Sequence, residues 1–418
     1  MVAQNSTGRK YRQSKVNLFK DNKLARILTS IPVITVVMLV GVEVFLRNVN
    51  IPEQFGYRSS DSWLIADRIE ECLKTRPEVG IIGSSLMFGL NQDGTGRHFY
   101  TGRYTPYLQE LIRKSTEQDV RCLNLATGRQ TIAEAYLVTK AISKIPDYPK
   151  VIIYGLIMRD FVDEKFAGEW QSESFDAIAP YAPADPYSIS KIYSKKGTAE
   201  FLLSHFSYIY RDRSALRNFL AANTKDFADH NLPLDRPYVR MGDDSVNRAS
   251  KEGHLIERTT PQEMEILMAK VIGKRPENVK KVFKDLFTVM HGYAPRNALR
   301  IQTHYLDELV KHCRTKDIQL VIVNMPISNE FKNLGNPKDF EKFAEFLKGV
   351  SEEKGFPLID ISLDKEFTED CFVDGLHLDY KGSKILAEKL VERLKQDYPY
   401  VMSTMADQAR NNAGKYGK

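Results

Sequence analysis

Val79-Gly80-Ile81-Ile82-Gly83-Ser84-Ser85-Leu86 is a short apolar run that stops on a turn of small residues. A run of this length without polar alternation suits a strand buried on both faces of a parallel sheet. Similar runs follow: VRCLNLA at 120–126, KVIIYGL at 150–156, IQLVIVNMP at 318–326 and FPLIDISL at 356–363. Between and around them lie stretches with apolar residues at helical spacing, near 63–75, 104–115, 131–143, 297–315, 337–353 and 381–394. Strands that alternate with helices predict a three-layer α/β domain, its central parallel sheet covered on both faces.

Residues 163–295 interrupt this rhythm. A Pro- and Tyr-rich loop leads into helical patterns near 197–221 and 261–273. The second begins at Thr260-Pro261-Gln262-Glu263, a Thr cap with Pro at the first helical position and Glu three residues on. This stretch reads as a mostly helical insertion, so the domain spans about 48–400 with the insertion at about 163–295. Residues 401–418 are polar and rich in Asn, Gln, Gly and Lys, and are expected to be a disordered tail.

The N-terminal end is different in kind. Residues 27–46, ILTSIPVITVVMLVGVEVFL, are long enough to cross a hydrocarbon core of roughly 30 Å and carry one charge, Glu43. A buried core helix and a cleaved signal peptide are the alternatives, but no small-x-small cleavage site follows. An uncleaved transmembrane anchor at 25–47 is expected. Before it, Arg9, Lys10, Arg12, Lys15, Lys20, Lys23 and Arg26 face Asp21 alone, which accounts for the whole formal excess of +6. That bias places the basic tail, 1–24, in the cytoplasm and the main domain on the extracytoplasmic side of a cell membrane, as a single-pass protein. The rest of the chain is balanced in charge, which argues against nucleic acid as a partner.

Two short motifs carry chemistry. Gly83-Ser84-Ser85-Leu86 offers a hydroxyl on a tight bend after a strand, with backbone amides at the start of the next helix to stabilise an anion. Asp374-Gly375-Leu376-His377 offers a base for neutral pH and a carboxylate three residues earlier to orient it. Each alone also reads as an ordinary turn or cap. Together they supply the hydroxyl, base and orienting acid of a serine acyl-transfer site, both at the carboxyl ends of strands in one sheet.

At these residues the chain resembles the SGNH/GDSL hydrolase superfamily. Its Gly-Asp-Ser-Leu block is matched by Gly83-Ser84-Ser85-Leu86, with the nucleophile at Ser85, and its Asp-x-x-His block by Asp374 and His377. Its second block is matched by Gly128 in NLATGRQ, whose backbone N–H the resemblance makes an oxyanion-hole donor. The Gly-x-Asn-Asp block departs: Gly155 is followed by Ile157 and Met158, so the side-chain Asn donor is missing. The Gly-Ser-Ser turn, Arg159-Asp160-Phe161, Asn324-Met325-Pro326 and the anchor are similar to one branch, the membrane-anchored SGNH-like proteins of cell-envelope polymer acylation, of the teichoic acid D-alanylation type. The resemblance implies an SGNH (flavodoxin-like) domain. It further implies an acyltransferase or esterase acting on acyl groups, O-acetyl for example, of an exported polysaccharide, beside a membrane-bound O-acyltransferase. The departing block leaves a non-catalytic scaffold of a modification or export complex as the alternative.

Arg159 with Asp160 reads either as a structural ion pair or as a cation binding substrate or supporting the oxyanion. Asn324 reads as a donor to the site or as a loop cap. Trp170, Tyr181, Tyr187 and Tyr193 in the insertion could stack on sugar rings or simply pack. The remaining histidines and the four cysteines have no metal-ligand spacing. No metal site and no soluble cofactor are expected.

Overall fold

In the computed structural model the five apolar runs form one sheet: β1 (Val79–Gly83), β2 (Cys122–Asn124), β3 (Val151–Leu156), β4 (Gln319–Asn324) and β5 (Leu358–Asp360), in the order β2-β1-β3-β4-β5. Every neighbouring pair is parallel. The structure describes residues 31–49, 60–92, 102–162, 173–213, 216–217, 220, 296–333, 337–373 and 375–416. All residues of β1 and β3 are buried, which is why these runs carry no polar alternation. Each fully buried Ile or Val contributes about 2 kcal/mol relative to exposure.

Among the described residues the helices include, in chain order, α1 (Ile31–Val49), α2 (Ser60–Thr75), α3 (Pro106–Thr116), α4 (Ile132–Ile142), α5 (Arg159–Val162), α6 (Glu173–Ile178), α7 (Pro186–Ser190), α8 (Lys195–Phe206), α9 (Arg296–Thr315), α10 (Pro337–Lys354), α11 (Tyr380–Asp397) and α12 (Pro399–Tyr416). One face of the sheet buries Ile65 and Ile69 of α2, all of α4, Leu306 and Leu309 of α9 and Leu347 of α10. The other buries Leu108 and Ile112 of α3, Leu386 and Leu390 of α11, and Val401 and Met405 of α12. The result is three layers, helix, sheet and helix, around two apolar cores. The described part of the insertion joins the first face, where Phe175 of α6 and Phe201 of α8 are fully buried.

In this strand order the winding reverses between β1 and β3, and the crevice beyond the carboxyl ends of those two strands is the position where doubly wound sheets bind ligands. Gly83 of β1 lies in register with Gly155 of β3. Ser85 therefore begins its 3-10 helix, Ser85–Asn91, at the switch point.

Two expectations need correction. The stretch 401–418 is not a disordered tail, since it falls almost wholly in α12 (Pro399–Tyr416). Its apolar residues Val401, Met402, Met405, Ala406 and Ala409 recur at helical spacing and are buried, a stripe that the polar composition around it hides. The helix expected over 197–221 is broken at Ser207, which ends α8 and whose hydroxyl caps the next short helix, Tyr208–Arg211, through Tyr210 N–H at 3.2 Å. The patterns at 260–273 lie outside the described residues.

α12 is tied to the amino-terminal edge of the sheet. Gln408 accepts from Lys150 N–H at 2.8 Å and donates to Tyr148 O at 2.8 Å, at the entry to β3. Asn412 donates to Glu78 at 2.7 Å, at the entry to β1, where Arg121 also meets Glu78.

α1 belongs to a separate unit, residues 1–50. Its large apolar side chains from Ile34 to Phe45 are exposed, and Arg47 pairs with Glu43 one turn earlier at 2.7 Å. Among the described residues no helix is long and apolar enough to cross a membrane. Residues 27–30 of the apolar stretch, and the basic tail, lie outside the described residues.

Candidate active site

Ser85 Oγ and His377 Nε2 lie 2.8 Å apart, though 292 residues separate them in the chain. That is hydrogen-bond distance for a base and the hydroxyl it deprotonates. Both side chains are half-buried. Ser84 is different: it is fully buried, and its Oγ has no hydrogen-bond partner among the described residues. Of the two serines in the turn, Ser85 alone combines access with a base.

Local structure explains the pairing. Gly83 has φ +141, which L side chains rarely adopt, and a Cβ there would lie 2.4 Å from Gly155 O. The tight bend after β1 thus requires glycine. The 3-10 helix that follows is clamped by Asn124 of β2, fully buried, whose amide donates to Met87 O at 2.8 Å and Asn91 Oδ1 at 2.9 Å. The other end of the helix lies against the start of α11. A Cβ on Gly89 would meet Ser383 Oγ at 2.4 Å, so a glycine here lets the two segments approach. Gln92 Nε2 adds a bond to Leu378 O at 3.2 Å, next to His377.

The His377 loop is held on three sides. Val373 N–H donates to His377 O at 2.8 Å, and Ser328 N–H, after β4, donates to Gly375 O at 3.0 Å. Asp379 caps α11 by accepting from Gly382 N–H at 2.7 Å. Asp374, the expected orienting acid, lies outside the described residues.

Gly128 sits in the loop after β2, half-buried. Thr127 N–H donates to Gly83 O at 3.2 Å, so this loop runs beside the residues that lead into Ser85. The two remaining expected residues are otherwise engaged. Arg159 follows β3 and pairs with Asp160 at 3.1 Å, and both are buried. The second Asp160 oxygen accepts from Ile157 N–H at 3.0 Å, so the pair ties the turn after β3. Asn324 ends β4 and is buried. Its amide donates to Asp360 Oδ1 at 3.0 Å and Ser362 Oγ at 3.0 Å, tying β4 to the end of β5, which is the loop-cap alternative.

The insertion aromatics divide. Tyr181 hydrogen-bonds Glu70, and Tyr193 accepts from Arg300 Nε at 2.5 Å, both as packing contacts. Tyr187 is 65% exposed, with Lys140 and Lys191 near its ring. Trp170 lies outside the described residues. All four cysteines are free and buried, and burial pushes the Cys72, Cys122 and Cys313 thiols well above their ordinary range.

A second serine–histidine contact is instructive. Ser143 Oγ and His312 Nε2 are also 2.8 Å apart, where α4 and α9 end. Ser143 is 2% exposed, so no substrate reaches it. Burial, with the Lys140 and Lys316 charges, pushes His312 down to about 4. His312 is then neutral in the folded state, while the unfolded chain takes up its proton below about pH 6.5. Stability is full above that value and falls as the pH drops from there through about 4. Urea midpoints followed down from neutral pH should fall for wild type and less steeply for His312→Gln, which keeps a donor for Ser143 and does not titrate. Equal slopes would exclude His312 as the source.

No protein-family model matches the chain, and no curated protein matches it.

Proposed function

We propose that the chain is a membrane-anchored, SGNH-type serine acyltransferase or esterase-like protein, acting on acyl groups such as O-acetyl of an exported cell-envelope polysaccharide. The observation that carries the reading is the 2.8 Å contact between Ser85 Oγ and His377 Nε2 at the switch point of the sheet. In the proposed reaction His377 takes the Ser85 proton as Oγ attacks the acyl carbonyl carbon, and the carbonyl electron pair moves onto oxygen. The backbone N–H groups of Ser85 and Gly128 hold that oxyanion, and Asp374 orients His377. Collapse expels the donor alcohol, which takes the proton from His377. A sugar hydroxyl, or water, then attacks the acyl-serine by the reverse sequence.

The anchor belongs to the same proposal. In the sequence, residues 27–30 extend the apolar run that continues through α1 to about 20 residues. Within it Glu43 is matched by Arg47 on the next turn. The basic tail stays cytoplasmic, the domain lies outside, and a membrane-bound O-acyltransferase is the partner that delivers the acyl group.

One observation favours a second reading. Ile157, where the family has its Asn donor, is 1% exposed and packed in the core, so that donor has no substitute at its own position. A non-catalytic scaffold fits this. The test is the acyl content of the envelope polysaccharide, measured by NMR in cells carrying Ser85→Ala. A fall supports transfer, a rise supports an esterase, and no change supports the scaffold.

A further inference from the structure

The geometry points to Gln130 as the positioning residue that fixes the Gly128 amide relative to Ser85, an inference that rests on the acyl-transfer reading of that site. The β1–β2 ladder runs only to the pair Ile81 and Asn124. Beyond it, Leu125 N–H donates to Ile81 O at 2.6 Å and Thr127 N–H to Gly83 O at 3.2 Å. Gly83 N–H then has no backbone partner from the neighbouring strand. The Gln130 side chain takes that place: its Oε1 accepts from Gly83 N–H at 2.7 Å, as a strand carbonyl would. Its Nε2 reaches back to donate to Leu125 O at 3.2 Å. One amide thus joins the start of the 125–130 loop, the end of that loop, and the residue two before Ser85.

Gly128 stands between these fixed points. The turn around it is closed by Gln130 N–H on Thr127 O at 3.4 Å, with Arg129 in the left-handed region at φ +57. Gln130 is 1% exposed and cannot touch a substrate, so its effect passes through the two backbone amides. Oxyanion donors are effective only when held at the distance the developing charge requires, and a shift of about 1 Å costs roughly a hundredfold in rate.

The test uses the full chain in detergent and a fluorophosphonate, whose phosphoryl oxygen occupies the oxyanion position. Saturation kinetics separate reversible binding (KI) from the covalent step (kinact). Gln130→Met, close in size, removes all three side-chain hydrogen bonds, including the 3.5 Å bond from Nε2 to Thr127 Oγ1; Gln130→Glu keeps the acceptor for Gly83 N–H and loses the donors to Leu125 and Thr127. The expected result is kinact lowered roughly tenfold to a hundredfold in Gln130→Met and less in Gln130→Glu. KI and the shape of the pH profile should stay as in wild type. A wild-type kinact in Gln130→Met overturns the proposal. So does a joint loss of KI, kinact and thermal stability in both variants, which would make Gln130 a folding residue only. Absence of labelling in wild type, seen before any variant is compared, would overturn the acyl-transfer reading and this inference with it.

Discussion

Fluorophosphonate labelling of the full chain is expected to mark Ser85, to vanish in Ser85→Ala, and to slow by about 10³-fold in His377→Ala. The size follows from the chemistry. A serine hydroxyl is a poor nucleophile at neutral pH, and the only base within reach of Oγ in the described site is His377 Nε2, at 2.8 Å. Losing it leaves the hydroxyl and the proposed oxyanion donors in place, so labelling slows without stopping. Ser85→Ala removes the attacking atom altogether. Two other serines cannot take over: Ser84 is fully buried, and Ser143 is sealed beside His312. Peptide mapping of the labelled protein checks this directly. Adduct on another serine, or a His377→Ala rate equal to wild type, would remove the basis of the proposed reaction.

The largest loss of stability should follow Gly83→Ala, at about 3–5 kcal/mol. Two costs add. The backbone is at φ +141, and the new Cβ would sit 2.4 Å from Gly155 O. The opposing atom is backbone, in the central β3 strand that pairs with both β1 and β4, so it cannot swing aside as a side chain would. Relief requires β1 and β3 to separate where Ser85 leaves the sheet, and labelling should fall with stability. Gly349→Ala in α10 is the control. No atom lies within 4 Å of a Cβ there, so the helix gains about 0.5–1 kcal/mol of stability. Urea unfolding of the two variants should shift in opposite directions.

The sheet was legible because its strands are buried on both faces. Val79–Gly83 and Val151–Leu156 leave no room for polar residues, and an unbroken apolar run is a strong signal. The serine and histidine were legible for a related reason: both follow core strands, and the carboxyl edge of a parallel sheet brings such loops together. Gln130 was not legible. A single glutamine in a polar turn carries no pattern, and its role exists only once Gly83 of another strand has ended its own ladder beside it. The direction of the Asn324 amide is not legible either, because position along β4 does not say where it points; Asp360 and Ser362 hold it. α12 is hidden by composition: its buried stripe, Val401, Met402, Met405, Ala406 and Ala409, sits among polar residues.

The position of α12 also bears on how the chain reaches its native state. Glu78, at the entry to β1, finds Asn412 from 334 residues further along. The loop around Tyr148 at the entry to β3 waits for Gln408 in the same way. A chain made from its N-terminus forward therefore holds β1 and β3 long before it holds the helix that closes over their entry edge. Without α12, Glu78 lacks its Asn412 bond and the part of the second core filled by Val401 and Met405 is open to water. The entry edges of β1 and β3 are therefore completed only when α12 docks, through contacts among the longest in sequence that the described chain makes.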